Sequence, residues 1–209
     1  MKMTDLLKAG GVASALFAAT TLSTGAAHAV AVTGGTTAVT VTADLAGLKL
    51  TPGLEGTATA EVNDGLLTVF FPITGGSTGP AGNASIEHDG SGVSLTAEDG
   101  TTASVGNFVI KTSASTVFGD LFGVTTGSPL PFFTFGEDTE LDGTELEFSS
   151  TLAGALTDVF GAPNLTGETF GYAVVSPTLA PVPLPAGALL LIGGLGMLGM
   201  VRRRRTSKA

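Results

Sequence analysis

Glycine or proline interrupts the chain every few residues between positions 30 and 180, and this spacing limits what it can fold into. Proline removes a backbone donor and glycine loses extra conformational entropy in a helix, so few stretches are long enough to be helical. Between the breaks Thr, Val, Ala and Phe predominate, and most of these suit a pleated, half-buried surface. Val39-Thr40-Val41-Thr42 alternates apolar and polar, as a strand with one wet face should. Residues 66–73 (LLTVFFPI) form a nearly continuous apolar run, a strand buried on both faces or a junction, with Pro72 limiting hydrogen bonding on one side. Residues 107–111, 132–135 and 146–148 read as further short strands, and 170–175 as the last. Many short strands divided by turns predict a mainly β domain over residues 30–175, a single sandwich or barrel.

One segment departs from that pattern. Residues 151–160 (TLAGALTDVF) place Leu152, Leu156, Val159 and Phe160 at helical spacing, after Ser149-Ser150 as caps and before Gly161 and Pro163 as stops. This predicts one short amphipathic helix covering an open end of the sheet structure. Large side chains for a core come mainly from Phe, eleven of whose twelve copies lie between Phe70 and Phe170. Five of these precede a glycine, which reads as a bulky core residue followed by a turn.

The chain contains no cysteine, which excludes disulfides, zinc-thiolate sites, iron–sulfur clusters and cysteine nucleophiles. Across residues 30–201 only Lys49 and Lys111 stand against 17 acids, leaving a net charge of −15 on that part of the chain. A surface so acidic repels phosphate backbones and argues against nucleic acid as a partner. It suits an extracellular domain that meets divalent cations.

Both termini read as addresses. Lys2 and Lys8 precede an uncharged, largely apolar run at residues 10–22, too short to cross a bilayer. Ala27-His28-Ala29 follows, with small residues where signal peptidase inspects the chain, so residues 1–29 read as a signal peptide cut after Ala29. At the other end, residues 176–186 read as a proline-rich spacer and residues 187–201 (GALLLIGGLGMLGMV) as an uncharged transmembrane helix. Arg202-Arg203-Arg204-Arg205 opens a basic tail, 202–209, that the positive-inside rule keeps cytoplasmic. The leader and the stop-transfer segment give the same orientation, with the acidic domain outside.

Val182-Pro183-Leu184-Pro185-Ala186, then a glycine-rich apolar helix, then the arginine run, resembles the VPLPA-type sorting signal of the PEP-CTERM class of bacterial tails. It departs from the commoner Pro-Glu-Pro core in having no acid within the motif. The resemblance covers residues 182–209. It implies a Gram-negative bacterium, transient anchoring in the inner membrane, cleavage near the motif by an exosortase-like membrane peptidase, and delivery to the cell surface or extracellular matrix. An ordinary single-pass anchor that is never cut is the alternative.

Sites for chemistry are few. Once the leader is removed His88 is the sole histidine, and within Glu87-His88-Asp89-Gly90 it reads as a turn residue. Gly75-Gly76-Ser77-Thr78-Gly79 matches G-x-S-x-G by letter, but Pro80 follows where a nucleophile elbow needs a helix. Residues 136–145 (GEDTELDGTE) hold five acids, and Asp138, Glu140 and Asp142 alternate as in the first half of an EF-hand loop, making calcium the candidate metal. Ser149 occupies the twelfth position, where that loop carries Glu. A fainter resemblance, to HtaA-type haem-binding surface domains, rests on residues 86–90 and 93–96 and on Gly171-Tyr172, and would put His88 and Tyr172 near a haem. These readings predict no catalytic residues and an envelope or matrix protein, with a surface binding module for calcium, haem or another small ligand as the alternative.

Overall fold

The computed structural model describes residues 29–122, 129–137 and 143–181. Among them are eleven strands and one α-helix. In chain order the strands are β1 (Val30–Val41), β2 (Leu50–Gly56), β3 (Thr59–Asn63), β4 (Leu66–Pro72), β5 (Gly75–Thr78), β6 (Ala84–Ala97), β7 (Thr102–Lys111), β8 (Thr116–Leu121), β9 (Leu130–Phe135), β10 (Thr144–Phe148) and β11 (Thr169–Leu179). Helix α1 (Ser150–Phe160) lies between the last two. The fold is mainly β and sandwich-like, as the turn spacing predicts.

The strand pairing is antiparallel throughout and returns to its start. Neighbours run β11-β10-β9-β8-β7-β6-β5-β1, and β1 also pairs with β11. Its partners on that side extend from Val32↔Leu179 to Val41↔Gly171. Its other edge takes β4 from Thr36↔Pro72 to Val41↔Leu67, and β5 at Val30↔Thr78 and Ala31↔Ser77. The ladder thus closes through β1, which removes the unpaired edges an open sheet would have there.

The apolar run at residues 66–73 is a junction. Its outer edge pairs with β3 as far as Phe70↔Thr59, and after the bend at Ile73–Thr74 the continuing strand β5 pairs with β6. Pro72 falls between these partners, where no donor is required of it on that edge. β2 leaves with the far half of β6, from Leu50↔Ala97 to Gly56↔Ser91, so the sheet forks between β2 and the β3–β4 hairpin.

Two long strands bend together to close the ring. Between His88↔Phe108 and Gly92↔Gly106 the β6–β7 register shifts, and β7 against β8 shifts between Gly106 and Val109. Asn107 adopts φ 50° and Gly90 φ 71°, left-handed values that a bulge needs and a regular strand forbids. The Gly90 N–H donates to Asn107 Oδ1 at 2.9 Å, and Asn107 Nδ2 donates to Asp120 Oδ2 at 3.1 Å. His88 is therefore not in a turn. It sits inside a fourteen-residue strand, beside the bulge, and is 1% exposed.

The inward side chains form one core. Phe71, Phe108 and Phe132 meet edge to face, with centroids 5.2 and 6.5 Å apart. Phe133, Phe148 and Phe170 form a second group at 4.7 to 6.0 Å. Gly119 has no side chain because the Phe132 ring lies where a Cβ would go, 2.7 Å from it. Helix α1 forms where expected. Ser149 Oγ accepts from the Leu152 N–H at 3.1 Å, and Gly161 ends the helix at φ 65°. Its Leu152, Ala153 and Leu156 are buried.

The last strand continues past the expected end at Val175, to Leu179, and takes in Pro177. The β10 partner of β11 stops at Ala173, so among the described residues no strand pairs with that edge at Pro177. Among the described residues no helix is long and apolar enough to cross a membrane. The segment read as a transmembrane helix, 187–201, lies outside the described residues, as does the signal region before Ala29.

Removing the ring that links the buried aromatics, in Phe108→Ala, is expected to destabilise the fold by about 3–5 kcal/mol. Val62→Ala, on the exposed strand β3, should change stability by no more than about 0.5 kcal/mol. Urea unfolding followed by circular dichroism measures both.

Candidate functional site

Because side chains alternate across a strand, every second residue of the closed ladder points to its interior. Thr37, Val39 and Val41 do so from β1, Leu67, Val69 and Phe71 from β4, and Ala173 and Val175 from β11. Together with residues of β2, β6, β7, β8, β9 and β10 they line a partly open cavity of about 170 Å³. Leu45 and Leu48, in the connection after β1, and Leu152, Ala155, Leu156, Val159 and Phe160 of α1 also line it. The helix is therefore the lid its amphipathic spacing predicts. Both phenylalanine groups contribute walls, through Phe71 and Phe108 from one and Phe133, Phe148 and Phe170 from the other.

Among the described residues that line it, none is charged. The polar members are three threonines, Thr37, Thr112 and Thr144. Thr112 Oγ1 is committed to the 82–84 segment, donating to Gly82 O at 2.9 Å and accepting from the Ala84 N–H at 2.7 Å. Thr37 Oγ1 lies 2.7 Å from His88 Nε2. The hydrogen-bonded ladder holds most of the cavity walls apart, since closing the cavity would break strand pairs.

His88 stands behind Thr37. Its Nδ1 is 3.1 Å from the carbonyl oxygen of Phe108, which can only accept, so the hydrogen sits on Nδ1 and Nε2 accepts from the Thr37 hydroxyl. The Phe71 ring meets the imidazole edge to face at 6.4 Å. Burial pushes the His88 pKa below its ordinary value, against smaller opposing effects of the Phe108 carbonyl and the Asp89 carboxylate. The ring is thus a neutral core residue with both nitrogens occupied.

The other candidates that the sequence offers fall elsewhere. Ser77 lies on strand β5, with no nucleophile elbow, and the partners of His88 are Thr37 and Phe108. Tyr172 is on β11, one residue before Ala173; since Ala173 and Val175 line the cavity, Tyr172 points to the opposite face from His88. The two residues are not brought together. Tyr172 stands opposite Glu145, which is buried and accepts from Thr169 Oγ1 at 2.6 Å. Asp138, Glu140 and Asp142 of the calcium reading lie outside the described residues. So do Ala27, the motif Val182 to Ala186, and Arg202 to Arg205. Among the described residues no three His, Cys, Asp or Glu side chains are grouped to hold a metal. Ala29 is exposed, immediately before β1.

No known protein family, curated protein or solved structure matches the chain.

The His88 arrangement gives stability a defined pH dependence. The unfolded chain binds a proton at His88 near pH 6.5, whereas the folded chain does so only at lower pH. Stability is therefore full above about pH 6.5 and falls as pH drops toward the lowered folded value, by at most about 1.4 kcal/mol per pH unit. Urea midpoints between pH 7.5 and 5 should show this decline, and it should be missing from His88→Gln when the two proteins are compared.

Proposed function

We propose that this chain is an exported protein of the bacterial envelope, tethered by its C-terminal tail with the β domain outside and released to the surface or matrix by an exosortase-like peptidase. The observation that carries this reading is the ordered triple at the C-terminus: Val182-Pro183-Leu184-Pro185-Ala186, an apolar stretch, and Arg202 to Arg205. The geometry of the domain supports it. β1 begins at Val30, directly after the expected signal-peptidase cut at Ala29, so cleavage leaves the strand whole. The Ala180 N–H donates to the Ala31 carbonyl at 2.8 Å, and the two chain ends leave the domain side by side. Because β11 runs to Leu179, only Ala180 and Pro181 separate the ladder from the motif. The tether between domain and processing site is therefore only a few residues long.

In that location the domain acts as a structural or binding component and not as an enzyme. The apolar cavity favours the second reading, a surface module for a small ligand. Its apolar walls suit holding a molecule better than turning one over, since the histidine nearest to it has both nitrogens occupied.

Sequencing the termini of the protein from its native envelope tests the main reading. The mature chain should begin at Val30, and its C-terminus should fall near residues 182–186 only where the processing peptidase is present. Without the peptidase the tail should remain and hold the protein in the inner membrane. Full-length chain with its leader, dissolved in the cytosol, would overturn the proposal.

A further inference from the structure

We infer that the interior cavity is a binding site for one neutral, apolar molecule about the size of a single aromatic ring. This rests on the binding-module reading above and is independent of how the tail is processed. Size comes first. The cavity measures about 170 Å³, and an apolar protein cavity of about 150 Å³ admits benzene. A haem is far larger than this space.

Charge and hydrogen bonding narrow the class further. Among the described residues no Asp, Glu, Lys or Arg lines the cavity, so a carboxylate, phosphate or ammonium group placed there would be desolvated without a partner. Of the three lining threonines, Thr37 and Thr112 already direct their hydroxyls to His88 and the 82–84 segment, which leaves at most the Thr144 hydroxyl for a guest. A ligand rich in donors and acceptors would therefore leave them unmatched. Water is disfavoured for the same reason, since it needs two to four polar partners. Aromatic rings from both phenylalanine groups line the space and offer edges and faces to a planar guest.

Rigidity supplies the remaining argument. Val39, Val69 and Ala173 reach the cavity from neighbouring strands paired in register at Val39↔Val69 and Val39↔Ala173. These backbones cannot close on the void without breaking the ladder, so the space is present before a ligand arrives and little ordering opposes binding.

The full chain in lipid nanodiscs, with methyl groups isotopically labelled, tests this by titration with benzene and, separately, with hexanoate. Benzene should shift the methyl resonances of Val39, Val69, Leu146 and Leu156 saturably and leave the exposed Val62 and Leu54 unmoved. Hexanoate should have no such effect. Ala173→Leu, which fills the cavity, should weaken benzene binding by at least roughly tenfold; Val39→Leu serves as a second filling variant should the first not fold. Failure of both probes to shift the lining methyls would overturn the cavity as a binding site, while the export reading, tested by the termini of the mature chain, would stand. Hexanoate shifting them where benzene does not would leave a module but refute the neutral class. Equal benzene binding in wild type and a folded filling variant would place the molecule elsewhere and refute the cavity as its site.

Discussion

The fold depends on what β1 pairs with. One edge of this strand holds β11 and the other holds β4 and β5, so a single segment joins the first and last parts of the domain. Antiparallel sheets built from hairpins leave two edges exposed, and an exposed edge is open to pairing with other chains. Closure through β1 removes that exposure along most of its length. It also makes long-range order a condition for the fold, since Val32 and Leu179 must meet across nearly the whole domain. With no disulfide available, the ladder and the core must supply this constraint themselves.

Closure fixes the interior as well. Strands held in a ring direct alternate side chains to one enclosed volume, and here those side chains are valines, leucines and phenylalanines. Such a ring of eight strands is about the size at which side chains either fill the inside or leave room for one small molecule. The bend in β6 and β7 at Gly90 and Asn107 brings His88 into this core, where Thr37 and the Phe108 carbonyl satisfy both its nitrogens. The same inward alternation that builds the core thus leaves the apolar cavity under α1.

Local features of the fold are legible in the sequence because they are written in neighbouring residues. Helix α1 carries its cap at Ser149, its apolar spacing and its stop at Gly161 within thirteen positions, and the structure uses all three. Val39 and Val41 alternate with Thr40, and they point inward. What depends on distant partners is not legible. Glu87-His88-Asp89-Gly90 has turn chemistry, yet pairing with β5 and β7 holds it in a strand with a bulge. Pro177 reads as part of a spacer, but β11 continues through it, pairing with Gly35 on one edge with no described strand on the other. The cavity has no sequence signal at all, because it is assembled from single residues of strands far apart in the chain. Among the described lining residues only Thr37, Thr112 and Thr144 interrupt the apolar surface, and nothing in their local sequence marks them as neighbours.

A ladder closed by its own first strand ties the beginning of the domain to its end. The ends that would carry the leader and the tail leave the domain at Ala31 and Ala180, the same place where the closing pair begins. Closure can be read directly from native-state amide hydrogen exchange. If β1 completes the ring, its amides directed at β11 and those directed at β4 should exchange only with global unfolding, at the same free energy as amides shared by β6 and β7. Exchange of the β1–β11 amides at a much lower free energy, with β6 and β7 still protected, would show the ladder to be open at that seam and would contradict the account.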